Sequence, residues 1–189
     1  MRNRLLAPKN VCLQIIDVQQ SLMSKITGAD RVTATVDFMI QCAKILEIPI
    51  VANTQYKKGL GPYVPAVESL VGDVTQIDKS EFNAIANKET EAFINGLPKE
   101  RDTLILVGVE THICIYQTAV GLLMKGLDVW VVTDGVSSRK LQDHQTGLQR
   151  LQHLGVSLGS SEMLIYELLG KAGSPEFKKI LPLIVARNE

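Results

Sequence analysis

Three residues that lie far apart in the chain have side chains that together could perform nucleophilic catalysis: Asp17, Lys79 and Cys114. A thiolate is a strong nucleophile, a carboxylate can accept and return the thiol proton, and an ammonium group stabilises both negative charges. Lysine cannot accept a proton while it is charged, so the carboxylate is the expected general base. Each residue also has an ordinary interpretation. Asp17 could be a loop cap or a metal ligand, Lys79 a solvated surface lysine, and Cys114 a small buried apolar side chain.

The cysteine lies where a predicted strand gives way to a predicted helix. The apolar run Thr103–Val107 is typical of a buried strand, and apolar residues recur at helical spacing over Ile115–Lys125. A thiol at a helix N-terminus faces unpaired backbone N–H groups, which favour negative charge. We therefore expect Cys114 to have a lowered pKa and to be a thiolate near neutral pH.

The elements that must position these residues alternate between strand and helix. The predicted strands are residues 11–16, 50–53, 74–78, 103–109, 128–133 and 156–158. The predicted helices are residues 30–47 (with Asp30 as N-cap), 89–97, 113–125, 143–154, 161–169 and 175–186. The segment 55–65, rich in glycine and proline, is predicted to be a loop.

This alternation implies right-handed crossovers and a mostly parallel central sheet with helices on both faces, a three-layer α/β/α fold. Ligands of such sheets bind outside the carboxyl ends of the strands. Asp17, Lys79 and Cys114 each lie at or just past the end of a different predicted strand. Their convergence at one edge of the sheet is the sequence-based argument for a site.

The composition predicts one globular domain over residues 1–189, because 46% of the residues are hydrophobic. Basic and acidic residues balance at 20 each, so nucleic-acid binding is not expected. No apolar run approaches a membrane span, and no secretory signal is recognised. Together with three cysteines, an odd number, this favours a reducing compartment such as the cytoplasm; Arg2 and Arg4 leave an organelle such as the mitochondrion as the less favoured alternative.

Several motifs resemble those of the isochorismatase-like cysteine hydrolases. They are residues 16–19 (IDVQ), 79–82 (KSEF), 108–114 (GVETHIC), 128–135 (DVWVVTDG) and 137–139 (SSR). Residues 55–56 (QY), 59–62 (GLGP), 161–162 (SE) and 175–178 (PEFK) are most similar to the group of isochorismatase domain-containing proteins. The resemblance covers nearly the whole chain and implies the isochorismatase-like, Rossmann-like fold.

The resemblance also implies how the site works. Asp17, Lys79 and Cys114 act together in the family, which hydrolyses small substrates, here expected to be an amide, a carbamate or a related C–N compound, through a thioester-type intermediate. A cis peptide bond precedes the nucleophile and aims backbone N–H groups, including that of Cys114, at a developing oxyanion. The residues of that turn are Val109, Glu110 and Ile113.

We expect no cofactor and no metal, since the three histidines are scattered without ligand spacing and the region after the second strand contains none. Metal-binding nicotinamidases of the superfamily carry histidines there. The expected substrate pocket comprises Gln19, Gln55, Tyr56 and Phe82, and His112 is a less favoured alternative base.

Two further interpretations stay open at this point. The chain could be a catalytically inactive oligomeric scaffold of the same fold. Nuclease activity, which has been assigned to relatives, is disfavoured by the zero net charge and by the lack of a metal-ligand cluster in the sequence. A homo-oligomer is expected from the family. Its candidate surface, or else part of the intramolecular core, consists of apolar residues of the last two helices: Leu164, Ile165, Leu168, Leu169, Ile180, Leu181 and Ile184.

Overall fold

The computed structural model describes residues 4–187, and these form a six-stranded parallel sheet. The strands are β1 (Val11–Ile16), β2 (Ile50–Gln55), β3 (Thr75–Lys79), β4 (Thr103–Val109), β5 (Asp128–Ser137) and β6 (Ser157–Gly159). Their order is β3-β2-β1-β4-β5-β6, and every neighbouring pair is parallel. The direction of winding reverses between β1 and β4, which opens a crevice at the carboxyl ends of these two strands.

Helices cover both faces of the sheet and complete the predicted α/β/α architecture. They are α1 (Gln20–Met23), α2 (Ala29–Ile45), α3 (Lys57–Leu60), α4 (Pro65–Glu68), α5 (Lys88–Asn95), α6 (Tyr116–Met124), α7 (Leu141–His153), α8 (Ser161–Leu169) and α9 (Pro175–Val185). One core cluster joins the sheet to α2, α8 and α9, and a second joins its other face to α5, α6 and α7. Within residues 4–187 no helix is long and apolar enough to cross a membrane.

The central strands have near-continuous apolar sequences because both of their faces are covered. All residues of β1 and β4 are buried, including Gln14 in the middle of β1. Gly108 allows the two strands to approach at their carboxyl ends: its φ is 116°, and a Cβ there would lie 2.0 Å from the carbonyl oxygen of Ile16. This close approach brings the chain segments after β1 and β4 together.

Local details differ from the prediction at the start of α2 and in the short helices. The predicted N-cap Asp30 is wrong, because α2 begins at Ala29 after Gly28, whose φ of 69° suits glycine. The segment predicted to be a loop contains α3 and the start of α4, and α1 was not predicted. Helices of four residues are too short for a hydrophobic period to be recognised.

The apolar residues of the last two helices mostly belong to the core. Leu164, Ile165, Leu168, Ile180 and Ile184 are buried, so for these five residues the second alternative, the intramolecular core, is confirmed. Leu181 is exposed, and so are three apolar or aromatic residues of the same helices that the sequence did not single out: Met163, Tyr166 and Val185. The cysteines Cys12 and Cys42 are buried in the two clusters.

Candidate active site

Asp17 and Lys79 form a buried ion pair at the carboxyl edge of the sheet. The Nζ atom of Lys79 donates to Oδ2 of Asp17 at 2.9 Å, and both side chains are almost completely withdrawn from solvent. Lys79 is the last residue of β3, and Asp17 directly follows β1, two strands away in the sheet. The prediction that these two groups meet at one edge is thus matched by their positions.

The backbone at Asp17 turns sharply away from the sheet. Its φ of 57° lies in the left-handed region, which aspartate tolerates better than most residues. Its N–H donates to the carbonyl of Asn53 at 3.0 Å, and its own carbonyl accepts from the N–H of Gln19 at 2.8 Å. This local conformation holds the aspartate at the end of the strand.

Cys114 lies in a π-helical turn, Thr111–Ile115, that joins β4 to α6. The N–H of Ile115 donates to the carbonyl of Glu110, five residues earlier, at 3.2 Å, as the π geometry requires. The peptide bond Val109–Glu110 at the start of this turn is cis. Cys114 itself is only 7% exposed.

The Cys114 thiol lies against the Asp17 carboxyl, close enough for each group to influence the pKa of the other as hydrogen-bond partners. The contact is looser than a normal hydrogen bond. Among residues 4–187, Oδ1 of Asp17 has no partner of conventional geometry. The sulfur, the carboxylate and the ammonium group therefore form one cluster, with the carboxylate in the middle.

The environment raises the pKa of the Cys114 thiol, mainly because burial disfavours the thiolate and also because Asp17 is negatively charged; Lys79 opposes this shift. The sequence-based expectation of a lowered pKa is therefore wrong. The cause is that the sulfur is enclosed beside a carboxylate, within a π-helical turn, rather than open to the N–H groups of an ordinary helix start. This environment favours the thiol form of Cys114 over the thiolate.

Burial also raises the pKa of the Asp17 carboxyl, while the charge and hydrogen bond of Lys79 act in the opposite direction. A carboxylate with a raised pKa is a stronger base than a solvated one. Burial thus raises the pKa of both the sulfur and the neighbouring carboxyl, and Lys79 opposes the shift of each.

Two of the predicted pocket residues instead support the cluster. Oε1 of Gln55 accepts from Nζ of Lys79 at 2.6 Å, and its Nε2 donates to the carbonyl of Ser80 at 2.8 Å. Oε1 of Gln19 accepts from the N–H of Gln55 at 2.7 Å, and its Nε2 donates to the carbonyl of Gly61 at 2.8 Å. Both amides are therefore engaged with protein groups around Lys79, and their part in a substrate pocket stays a prediction.

Tyr56 and Phe82 have exposed side chains near the carboxyl end of β3. The N–H of Tyr56 donates to the carbonyl of Lys79 at 2.8 Å, and its ring packs over Gly59, where a Cβ would lie 2.3 Å from a ring carbon. Phe82 follows Lys79 by three residues. Their placement in the substrate pocket stays a prediction.

Other residues of the turn Thr111–Ile115 make contacts that the sequence did not indicate. The N–H of Ile113 donates to the carbonyl of Glu110 at 3.1 Å, so it is engaged and is not a free oxyanion donor, contrary to expectation. Nδ1 of His112 lies 2.9 Å from Oγ of Ser138, so the ring is held by that hydroxyl, which argues against its use as the alternative base.

A buried polar chain beneath the site was also missed. Nε2 of Gln14 donates to Oδ1 of Asn53 at 2.8 Å, and Nδ2 of Asn53 donates to Oγ1 of Thr90 at 2.9 Å. The available signal was a glutamine and an asparagine inside two otherwise apolar strands. In the described part of the chain, no group of three or more histidine, cysteine, aspartate or glutamate residues could hold a metal ion.

Comparison with known proteins identifies relatives that match along most of the chain. The Isochorismatase domain family model matches residues 11–163. Isochorismatase domain-containing protein 2 of Xenopus laevis is 34% identical over 180 residues, which cover 95% of this chain and 86% of that protein.

Two solved structures have the same fold. One, named MAR1 ribonuclease from Caenorhabditis elegans, has a TM-score of 0.89 and 34% identity and covers 96% of this chain and 93% of its own. The other, the YcaC gene product of Escherichia coli, is described as an octameric hydrolase of unknown specificity. It has a TM-score of 0.90 and 21% identity and covers 99% and 94% of the two chains.

Proposed function

The chain belongs to the isochorismatase family, and we propose that it is a cysteine hydrolase that cleaves the C–N bond of a small amide, carbamate or related compound. One observation carries the proposal: the buried Lys79–Asp17 pair, with an Nζ–Oδ2 distance of 2.9 Å, lies against the thiol of Cys114. Burying an ion pair costs desolvation free energy that the attraction between the two charges often does not recover. Its position beside a cysteine therefore supports a catalytic role for the cluster.

In the first half-reaction, Asp17 accepts the thiol proton as Sγ of Cys114 bonds to the carbonyl carbon of the substrate. The backbone N–H of Cys114 is the proposed donor to the developing oxyanion. Asp17 then gives its proton to the nitrogen, the C–N bond breaks, and the amine leaves. The acyl group stays on the sulfur as a thioester.

In the second half-reaction, Asp17 removes a proton from a water molecule, and the oxygen of that water bonds to the thioester carbonyl carbon. The C–S bond breaks, the acid product leaves, and the sulfur takes the proton back from Asp17. No oxidant, reductant or cofactor is needed. Lys79 keeps a positive charge beside Asp17 and Cys114 throughout and so limits the cost of charge in this enclosed site.

The proposal is tested by intact-mass measurement of the protein after brief incubation with a panel of small amides and carbamates. A substrate of the proposed class gives a mass increase equal to its acyl group, mapped to Cys114, and releases the amine. Cys114→Ala abolishes both. Cys42→Ala is the matched control, since this second buried cysteine is remote from the cluster in the chain and belongs to the other core. No adduct with any panel member would favour the scaffold interpretation.

We also propose a homo-oligomer. The octameric neighbour supports it, as do the exposed apolar side chains Met163, Tyr166, Leu181 and Val185 on α8 and α9. Light scattering of the purified protein tests it, and Met163→Glu should lower the measured mass if this surface is used. We further propose a reducing compartment such as the cytoplasm, because all three cysteines are free thiols and the mechanism requires Cys114 to stay so.

Ribonuclease activity is the second candidate, since the C. elegans structure carries that name. The net charge of zero disfavours a phosphate-binding surface. Incubation with a labelled RNA separates the two: cleavage that survives Cys114→Ala would replace the proposed reaction.

A further inference from the structure

Three side-chain contacts join the segment 138–144 to the residues that lead into Cys114. The carboxylate of Glu110 accepts from the backbone N–H of Arg139 at 2.9 Å and from its Nε, with 3.1 Å to each oxygen. Nδ1 of His112 lies 2.9 Å from Oγ of Ser138. Thr111 lies between Glu110 and His112 in the chain, and its Oγ1 is 2.9 Å from Nδ1 of His144.

The backbone of the same turn is packed closely by α7. A Cβ added to Gly147 would lie 3.0 Å from Cγ2 of Thr111 and 3.1 Å from both the N and the Cα of His112, so a larger residue would crowd this turn. Thr111 and Ser138 are fully buried, and His144 is nearly so. The turn that carries the nucleophile is therefore held from one side by the end of β5 and the start of α7.

Glu110 is the residue through which this hold reaches the sulfur. Its carbonyl accepts from the N–H groups of both Ile113 and Ile115, at 3.1 and 3.2 Å, on either side of Cys114. A rotation of Glu110 would displace both hydrogen bonds and, with them, the π-helical turn. Its carboxylate, in turn, accepts from two N–H groups of Arg139, the backbone N–H and the side-chain Nε, and two such bonds restrict its orientation more than one does.

We propose that Arg139 is a positioning residue: through Glu110 it holds Cys114 against Asp17. This inference rests on the proposed function for its meaning in catalysis, but the geometry it predicts can be measured without a substrate. The side chain of Arg139 is 57% exposed, so its removal leaves no cavity in the core. An effect of its removal on the thiol is thus separable from an effect on packing.

The test is the pH dependence of Cys114 alkylation by iodoacetamide, followed by peptide mass. In Arg139→Ala the backbone N–H of residue 139 still donates to Glu110, but the Nε contact is lost. The turn is loosened, the sulfur moves away from Asp17 and into contact with water, and its apparent pKa falls towards the ordinary cysteine value. Alkylation near pH 7.5 is then several-fold faster than in the wild type, whereas hydrolysis has a kcat lower by about tenfold or more with KM changed little, since small misplacements cost this much.

Arg139→Lys keeps a cation beside Glu110 and should change both quantities less than Arg139→Ala does. Lys125→Ala, which removes another partly exposed ion pair, with Glu91, should change neither. An unaltered alkylation profile in a folded Arg139→Ala protein would overturn the proposal, as would equal changes in the lysine and alanine variants. Failure of the proposed function gives a different result: the wild type forms no acyl adduct, while Cys114 is still alkylated faster in Arg139→Ala than in the wild type.

Discussion

Lys79 Nζ lies 2.9 Å from Oδ2 of Asp17, and neither side chain is accessible to solvent. This pair joins the edge strand β3 to the central strand β1 across β2, and its carboxylate also faces the thiol of Cys114. Each charge in the pair is therefore compensated by the other, while the thiol is sensitive to both. The first two predictions follow from this arrangement.

Asp17→Asn should make the thiol more reactive and the protein inactive. Burial is the main cause that raises the pKa of the Cys114 thiol; the negative charge of Asp17 raises it further, and Lys79 lowers it. Without the carboxylate, the thiol pKa falls and alkylation by iodoacetamide at pH 7–8 becomes faster. Hydrolysis, in contrast, loses its proton acceptor and should slow by about 10²- to 10⁴-fold. Slower alkylation in this variant would contradict the assigned arrangement of charges.

Lys79→Met should destabilise the protein strongly. It leaves the Asp17 carboxylate buried without its cation, and breaking a buried pair in this way typically costs about 3–5 kcal/mol. The free energy of unfolding in urea measures the effect. The double variant Asp17→Asn with Lys79→Met should be more stable than Lys79→Met alone, because the uncompensated charge is then removed. A double variant with the summed loss of the two single variants would argue against the pair.

Gly108→Ala should be among the most damaging single changes in the sheet. The new Cβ would lie 2.0 Å from the carbonyl oxygen of Ile16, on a residue whose φ is 116°. Either β1 and β4 separate or the backbone at this residue changes, and we expect a loss of about 3 kcal/mol or more in the free energy of unfolding. Gly72→Ala is the control, because an added Cβ there meets no atom within 4 Å. Equal losses in the two variants would contradict this explanation.

The stability of the protein should fall as the pH is lowered past the ordinary range of histidine titration. Burial, and secondarily the charge of Arg31, lowers the pKa of His144. The unfolded chain then binds a proton at higher pH than the folded protein does, so acid favours unfolding. The loss begins as the pH falls below about 6.5 and is complete below the pKa of the folded state. Above that pH range His144 is neutral in both the folded and the unfolded protein, so it makes no difference to how stability changes with pH.

The measurement is urea denaturation at several pH values between about 5 and 8. His144→Gln, which has no titratable group, should show a smaller loss of the free energy of unfolding over this range. His153→Gln is the control, since His153 is exposed on the same helix. If the wild type and His144→Gln lose stability in parallel, the effect belongs to other groups.

The parts of the fold that could be predicted are those with a repeating hydrophobic pattern. The strands β1 and β4 are buried on both faces and are therefore continuous apolar runs in the sequence. The helix α8 is buried on one face and therefore has apolar residues at helical spacing. The meeting of Asp17 with Lys79 follows from the parallel sheet alone, because its strands share one carboxyl edge. The short helices α1, α3 and α4 have no such pattern.

The electrostatic state of the site could not be predicted in the same way. The pKa of Cys114 depends on how deeply the sulfur is buried and on which side of it Asp17 lies, and neither is a property of local sequence. Likewise, Gln55 is seen to hold Lys79 only once β2 and β3 are paired in register. The partner of Glu110, Arg139, is 29 residues away and lies on the loop after another strand.

The strand order has a consequence for biosynthesis. The three strands on one side of the β1–β4 seam are consecutive in the chain, and so are the three on the other side. The carboxylate and the lysine thus belong to the part that leaves the ribosome first, and the sulfur to the part that follows. In a nascent protein these groups lie on separate portions of the chain, and the cluster forms only when the two portions pack together along that seam.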